Sequence, residues 1–260
     1  MPRTSYPITD GVAPAQPLIV VAVDGPSGSG KSSVCREVAR RLGVSYLDTG
    51  AMYRAVCWSC LDRGMDLTDQ SAVARHAAEL DLLISMDPDR LRVTVNGVDV
   101  TAAIRSSEIS MAVSEVARNL AVRAELARRQ RQLILTDQAG CVAEGRDVTT
   151  VVAPDADVRI LLTADPAARI SRRAVELHGH ESERLLRQTA AEVVGRDARD
   201  AEVVDFLRPG EGVLVIDTSH LDFEATVARV LAEIAPVLRR RRHGGAVLDL
   251  ETPVGARGPA

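Results

Sequence analysis

Lysine is almost missing from this chain: of its 32 basic residues 31 are arginine, and Lys31 stands alone. Aromatic residues are equally scarce, at 2% of 260 residues, and the net charge is -4. That combination offers neither a basic stripe for a phosphate backbone nor stacking platforms for bases, so no nucleic-acid partner is expected. No apolar run approaches the roughly 18 residues of a membrane span, and the first 17 residues contain no signal-peptide core. A cytoplasmic protein without a membrane partner is therefore expected. Cysteine is confined to Cys35, Cys57, Cys60 and Cys141, which suits free thiols in a reducing compartment. Cys57-Trp58-Ser59-Cys60 has redox spacing, but it falls inside the helical stretch Ala51 to Arg63 and reads as small buried or half-buried thiols. The histidines His76, His178, His180, His220 and His243 form no zinc set, and His178-Gly179-His180 reads as a solvated turn.

What is present begins at the lone lysine. It closes Gly25-Pro26-Ser27-Gly28-Ser29-Gly30-Lys31-Ser32, which matches the G-x-x-x-x-G-K-[ST] phosphate loop without a gap. Glycines let backbone N–H groups turn inward around a polyphosphate, and the following helix adds its positive end. A compact ammonium reaches the β and γ phosphates where a planar guanidinium is wider and prefers a forked grip. That difference explains why lysine survives here. Ser32 is expected to hold Mg²⁺ through its hydroxyl, and the loop through Ser33 is the candidate ATP site. The competing reading is a Gly-rich turn with no ligand. Against it, Leu18 to Val23 is a continuous apolar run of the kind found in buried parallel strands, and Ser33 to Leu42 has helical spacing.

The 46% hydrophobic content supports one core, or a core with an inserted lobe. Apolar runs at 18–23, 44–47, 140–143, 157–162 and 213–217 alternate with helical patterns, which predicts an α/β fold with a central parallel sheet covered on both faces. Right-handed crossovers place the carboxyl ends of the strands on one rim, where ligands bind. Leu82 to Ser85, Leu91 to Val95 and Val98 to Thr101 interrupt the alternation as short strands, with turns at Asp87-Pro88-Asp89 and Asn96-Gly97. The expected division is a tail over 1–17, one domain over 18–238 and a second tail over 239–260. Within the domain, an inserted lobe spans about 62–112 and a helical lid about 168–196. Arg239 to Arg242 reads as a frayed helix end; four charges are too few to argue a nucleic-acid or membrane contact. A monomer is expected.

Three polar clusters sit where the rim should be. In Asp48-Thr49-Gly50-Ala51-Met52-Tyr53-Arg54, Asp48 or Thr49 can cap a helix, while Arg54 can clamp a phosphate with Tyr53 beside it. In Glu144-Gly145-Arg146-Asp147, an acid ends a strand beside the phosphate loop, a position suited to a Mg²⁺ shell. A surface turn would have the same composition. Arg169, Arg172, Arg173, Arg184, Arg187, Arg196, Arg199 and Asp200 lie on helical sequence, where two readings stay open: a solvated face paired with glutamates, or a lid carrying guanidinium groups onto a transferring phosphoryl.

Together these segments resemble the bacterial cytidylate kinases from about Val20 to about Asp217. GPSGSGKSS, LDTGAMYR, GVDVTAAIR, EGRDVTTVVAPDA and GRDARD follow one another in that family's order. The resemblance implies a P-loop NTPase three-layer fold with a monophosphate-binding lobe and a lid, and ATP- and Mg²⁺-dependent phosphorylation of CMP and dCMP. It further implies that Thr49, Ser114, Arg123 and Asp147 read cytosine and that Arg54, Arg146 and Arg196 hold the acceptor phosphate. Asp200 would meet the ribose, and Lys31, Arg172 and Arg173 would neutralise the donor. Ser32, Asp48 and Glu144 form the implied metal set. The chain departs from the family pattern at Thr149-Thr150, where a Gly-Thr pair is usual, at Glu144, and at Val203, where many members carry arginine. Arg199 or Arg208 is expected to compensate for the last.

A monophosphate attacks without a base, because its second pKa is about 6 and it is mostly dianionic near neutrality. A small P-loop kinase with a hydroxyl acceptor is the nearest alternative, and there Asp48 would serve as base. A guanine-nucleotide switch with Asn-Lys-x-Asp is impossible, since no second lysine exists.

Overall fold

The computed structural model describes residues 18–178, 182–201 and 207–243. Residues 1–17, His180, Val203 and residues beyond 243 lie outside them, as does the side chain of Arg196.

β1 (Val20–Asp24) is buried along its whole length, as an unbroken apolar run requires. The phosphate loop follows and leads into α1 (Lys31–Leu42), whose Val34, Val38 and Leu42 repeat at helical spacing and face inward. Gly43 ends α1 at φ 67°, and Arg40 and Arg41 lie in the last turn, where cations complement the helix dipole. β2 (Ser45–Asp48) runs directly into α2 (Thr49–Asp62), with Asp48 as its N-cap: Oδ1 accepts from the Ala51 N–H at 2.8 Å. α3 (Gln70–Glu79) then opens the inserted lobe. Its strands β3 (Leu82–Ile84), β4 (Val93–Val95) and β5 (Val98–Asp99) pair antiparallel. Val95 opposes Val98 across Asn96 (φ 50°) and Gly97 (φ 80°), the two positive dihedrals a tight hairpin turn needs. β4 and β5 are shorter than the strands expected at 91–95 and 98–101, and Thr101 Oγ1 accepts from the Val93 N–H at 2.9 Å.

α4 (Ser107–Ala117) and α5 (Leu120–Thr136) return the chain to the main sheet. There β6 (Cys141–Gly145), a π-turn over Val148–Val152 and β7 (Val158–Thr163) precede the helices α6 (Pro166–His178) and α7 (Glu183–Ala201). β8 (Leu214–Asp217) and α8 (Phe223–His243) complete the fold. α8 runs through Arg239, Arg240 and Arg241, so the tail boundary read at 239 falls inside a helix. The reason is tertiary: Arg241 donates to the Leu18 carbonyl at 2.6 Å and pairs with Asp157, pinning the helix end to the start of the sheet.

Among the described residues the main sheet has the order β2-β6-β1-β7-β8, all parallel. Strand side chains alternate between faces. Ile19, Val21 and Val23 pack with α1 and α8, whereas Val20 and Ala22 pack with α2 and α5. Three layers result. The order reverses direction at β1, and the crevice beyond its carboxyl end receives the phosphate loop, Asp48 and Glu144 together. All four cysteines are buried and unpaired. Among the described residues no helix is long and apolar enough to cross a membrane.

Candidate active site

The loop is built on close approaches that a side chain would block. A Cβ on Gly25 would lie 2.0 Å from the Leu162 carbonyl oxygen, and one on Gly28 would lie 2.5 Å from that of Arg169. Gly28 and Gly30 also hold φ of 75° and 84°. Lys31 is 6% exposed, and its Nζ donates to the Pro26 carbonyl at 2.9 Å. Burial and then the neighbouring Arg146 push its ammonium down to about 8. A buried cation resting on a neutral carbonyl suits an incoming anion.

Beside it, Ser32 Oγ donates to Glu144 Oε1 at 2.6 Å, and Tyr46 Oη reaches the same oxygen at 3.2 Å. Burial, and next the charge of Asp48, raise the Glu144 carboxyl above its ordinary value. Burial would raise Asp48 as well. Arg54, the Ala51 amide and Arg105 outweigh it and hold Asp48 below its ordinary value. Arg54 Nη2 donates to Asp48 Oδ2 at 2.8 Å. These neighbouring oxygen donors fit a hard divalent cation such as Mg²⁺.

Across the crevice a cavity of about 590 Å³ separates the loop from the wall formed by α2, α4 and α5. Its lining joins Lys31, Ser32 and Ser33 to Thr49, Tyr53, Arg54, Ser114, Arg123, Arg146 and Asp147, with Arg173 contributed by α6 and Arg199 and Asp200 by α7. Thr49 is fixed by its hydroxyl, which donates to the Glu144 carbonyl at 2.8 Å. Arg123 pairs with Asp147, beside the half-buried Tyr53 ring. Ser114 Oγ donates to Asp200 Oδ1 at 3.5 Å, and Ser114 on α4 and Arg123 on α5 both line the cavity. Arg146 spans the gap: Nη1 donates to the Gly25 carbonyl at 2.6 Å, Nη2 to Ser27 Oγ at 2.7 Å and Nε to Asp200 Oδ2 at 3.2 Å.

Arg172 does not join this group. It donates to Thr218 Oγ1 at 2.9 Å and to the Leu221 carbonyl at 3.0 Å and is not among the residues lining the cavity, whereas Arg173 is. Consecutive helical residues point about 100° apart, so only one of the pair faces the cavity. Arg169 is likewise engaged within the fold, donating to the Ser27 carbonyl at 2.9 Å and pairing with Asp197. Arg184 and Arg187 are exposed, and Arg187 pairs with Glu183 at 2.6 Å, so that part of α7 is a solvated face.

Three cavity residues, and a buried acid supporting the wall behind them, are not marked by the motifs. Arg36 and Tyr46 line the cavity from α1 and β2, and Arg105 faces it from the lobe. Asp24 is buried at the end of β1, where it accepts from the Val148 and Thr149 amides and from Thr149 Oγ1 at 2.9, 2.8 and 2.6 Å. An acid closing an apolar strand was the available signal for Asp24, and the i+4 spacing from Ser32 was the signal for Arg36. Among the described residues, the Nε groups of Arg36, Arg54 and Arg199 are buried without a hydrogen-bond partner. All three belong to residues lining this one cavity. Buried donors of this kind are satisfied by a ligand or by water.

A parallel sheet with a phosphate loop at its switch point, a buried lysine, an acid on the adjacent strand and an arginine-lined cavity define a P-loop phosphotransferase. The family model described as cytidylate kinase matches residues 21–236. A cytidylate kinase of Streptomyces avermitilis is 40% identical over 223 residues, covering 85% of this chain and 95% of that protein. One from Cutibacterium acnes is 44% identical over 225 residues, covering 85% and 98%. The chain belongs to the cytidylate kinase family.

Proposed function

We propose that this protein transfers the γ-phosphoryl group of ATP to CMP and dCMP, giving CDP and dCDP, as a cytoplasmic, monomeric enzyme of pyrimidine nucleotide metabolism. The observation that carries this reading is one cavity with the Lys31 loop on one wall and Arg54 with the Arg123–Asp147 pair on the other. Repulsion between two polyanions is the main obstacle to the reaction. Lys31 would neutralise the donor from within the loop, with Arg173 from the lid. Arg54 and Arg146 would orient the acceptor phosphate, and Arg196 would join them. Thr49, Ser114, Arg123 and Asp147 would read the base, and Asp200 the ribose. Mg²⁺ held by Ser32, Glu144 and Asp48 would supply charge neutralisation across the phosphates.

A hydroxyl acceptor fits less well. It needs a base, and the candidate Asp48 has one oxygen on the Ala51 amide and the other on Arg54. A carboxylate so held, below its ordinary value, is a weak base. A coupled assay of ADP release across CMP, dCMP, UMP, AMP and cytidine tests the proposal. Turnover with CMP and dCMP but not cytidine is expected; turnover with cytidine alone would overturn it.

A further inference from the structure

Ser27 belongs to the phosphate loop, yet its three polar groups are engaged by side chains from elsewhere. Its N–H donates to Asp197 Oδ1 at 2.9 Å, its carbonyl accepts from Arg169 Nη1 at 2.9 Å, and its Oγ accepts from Arg146 Nη2 at 2.7 Å. Asp197 and Arg169 are 7% and 8% exposed and pair with one another, one from α7 and one from α6. Asp197 Oδ1 also lies 3.8 Å from Arg146 Nη2. Both roots of the lid and the strap after β6 therefore meet at one loop residue.

We propose that Ser27 and Asp197 are positioning residues that set the Arg146 guanidinium across the gap between donor loop and acceptor cavity. Asp197 orients the Ser27 peptide through its N–H and fixes the foot of α7. Ser27 Oγ, with the Gly25 carbonyl, then fixes two of the three arginine nitrogens. A guanidinium is planar, so two such contacts set its plane. Misplacement of a group in contact with the reacting phosphate is costly in rate, even when the loop itself is intact. On this view a residue of the ATP loop acts on the acceptor side. The inference rests on the reading of Arg146 as an acceptor-phosphate ligand.

The test is a double-mutant cycle in full-length enzyme using Ser27→Ala, Asp197→Asn and Arg146→Lys. Ser27→Ala keeps every backbone amide, so KM for ATP should stay within about twofold while kcat/KM for CMP falls by about tenfold. Ser27→Thr, which retains the hydroxyl, should restore it. In the Arg146→Lys background, Ser27→Ala should cost little more, and Asp197→Asn should follow the same pattern. If Asp197→Asn does not fold, the Ser27 cycle decides. Additive losses in the cycle, a parallel rise in KM for ATP, or an unaffected kcat/KM for CMP would each overturn the inference. Wild type that phosphorylates CMP while the cycle is additive defeats this inference alone; wild type inert toward CMP defeats the proposed function.

Discussion

Ser32 Oγ donates to Glu144 Oε1 across 2.6 Å, although 112 positions separate them in sequence. The contact joins the first turn of α1 to the end of β6, where the register pairs Glu144 with both Val23 and Asp48. Glu144→Gln preserves shape and can still accept from Ser32, but it removes the charge. Its expected effect is a higher Mg²⁺ concentration for half-maximal rate and a kcat lower by roughly a hundredfold. A Mg²⁺ titration of the coupled assay measures both, and an unchanged titration would remove Glu144 from the metal set.

Lys31 is expected to act as a compact charge. Lys31→Ala should cost about 3 kcal/mol or more of transition-state stabilisation, read as kcat/KM for ATP. Lys31→Arg should not restore it. The site holds Nζ 2.9 Å from the Pro26 carbonyl in a buried pocket, and a guanidinium is too wide for it. An active arginine variant would show that charge alone suffices.

Much of this was legible from periodicity. The five apolar runs coincide with β1, β2, β6, β7 and β8 to within about two residues. β1 and β6 are buried along their whole length, where a strand covered on both faces admits little but apolar side chains, whereas the edge strand β8 buries Ile216 alone. Asn96-Gly97 placed the lobe hairpin through its backbone chemistry. Buried polar hubs were not legible. Asp24 finds its partners 124 and 125 positions away, and Asp197 meets Ser27 across 170. Arg172 and Arg173 are indistinguishable in composition, and only the orientation of α6 against β8 sends Arg172 to Thr218. Short motifs show which residue types are available, whereas packing decides where each one points.

Gly145 is a specific steric prediction. A Cβ there would meet Thr49 Oγ1 at 2.3 Å and Val148 Cγ2 at 2.8 Å. Thr49 cannot yield freely, because its hydroxyl is bonded to the Glu144 carbonyl at 2.8 Å. Gly145→Ala should therefore raise KM for CMP by about tenfold or more while KM for ATP changes little. Equal changes in both would place the damage in the sheet rather than at the acceptor wall.

Arg199 should carry the contact that Val203 does not supply. It lines the cavity with a buried, unpartnered Nε, whereas Arg208 is exposed and is not among the lining residues. Arg199→Ala is expected to weaken CMP binding by about tenfold and cytidine binding hardly at all, since only the phosphate is lost as a partner. Arg208→Ala should be silent in both titrations. Calorimetry with CMP and cytidine separates these outcomes, and normal CMP affinity in the double variant would exclude both arginines.

The pH profile should expose the state of Lys31. Burial and Arg146 lower its value from 10.5 to about 8, so the unfolded chain binds this proton more tightly than the folded one. This destabilising contribution is fully present below about pH 8 and is relieved between about 8 and 10.5. For catalysis the sign is opposite, because deprotonation removes the charge the donor needs. kcat/KM for ATP reports the free enzyme and should fall above about pH 8. Bound polyphosphate favours the ammonium, so the same limb in kcat should move to higher pH. On the acid side, protonation of the acceptor phosphate should lower the rate below about pH 6. Rate profiles for wild type and Lys31→Ala at saturating Mg²⁺ check this. An alkaline limb that survives in the variant, or one with the same midpoint in kcat and kcat/KM, would assign the titration to another group.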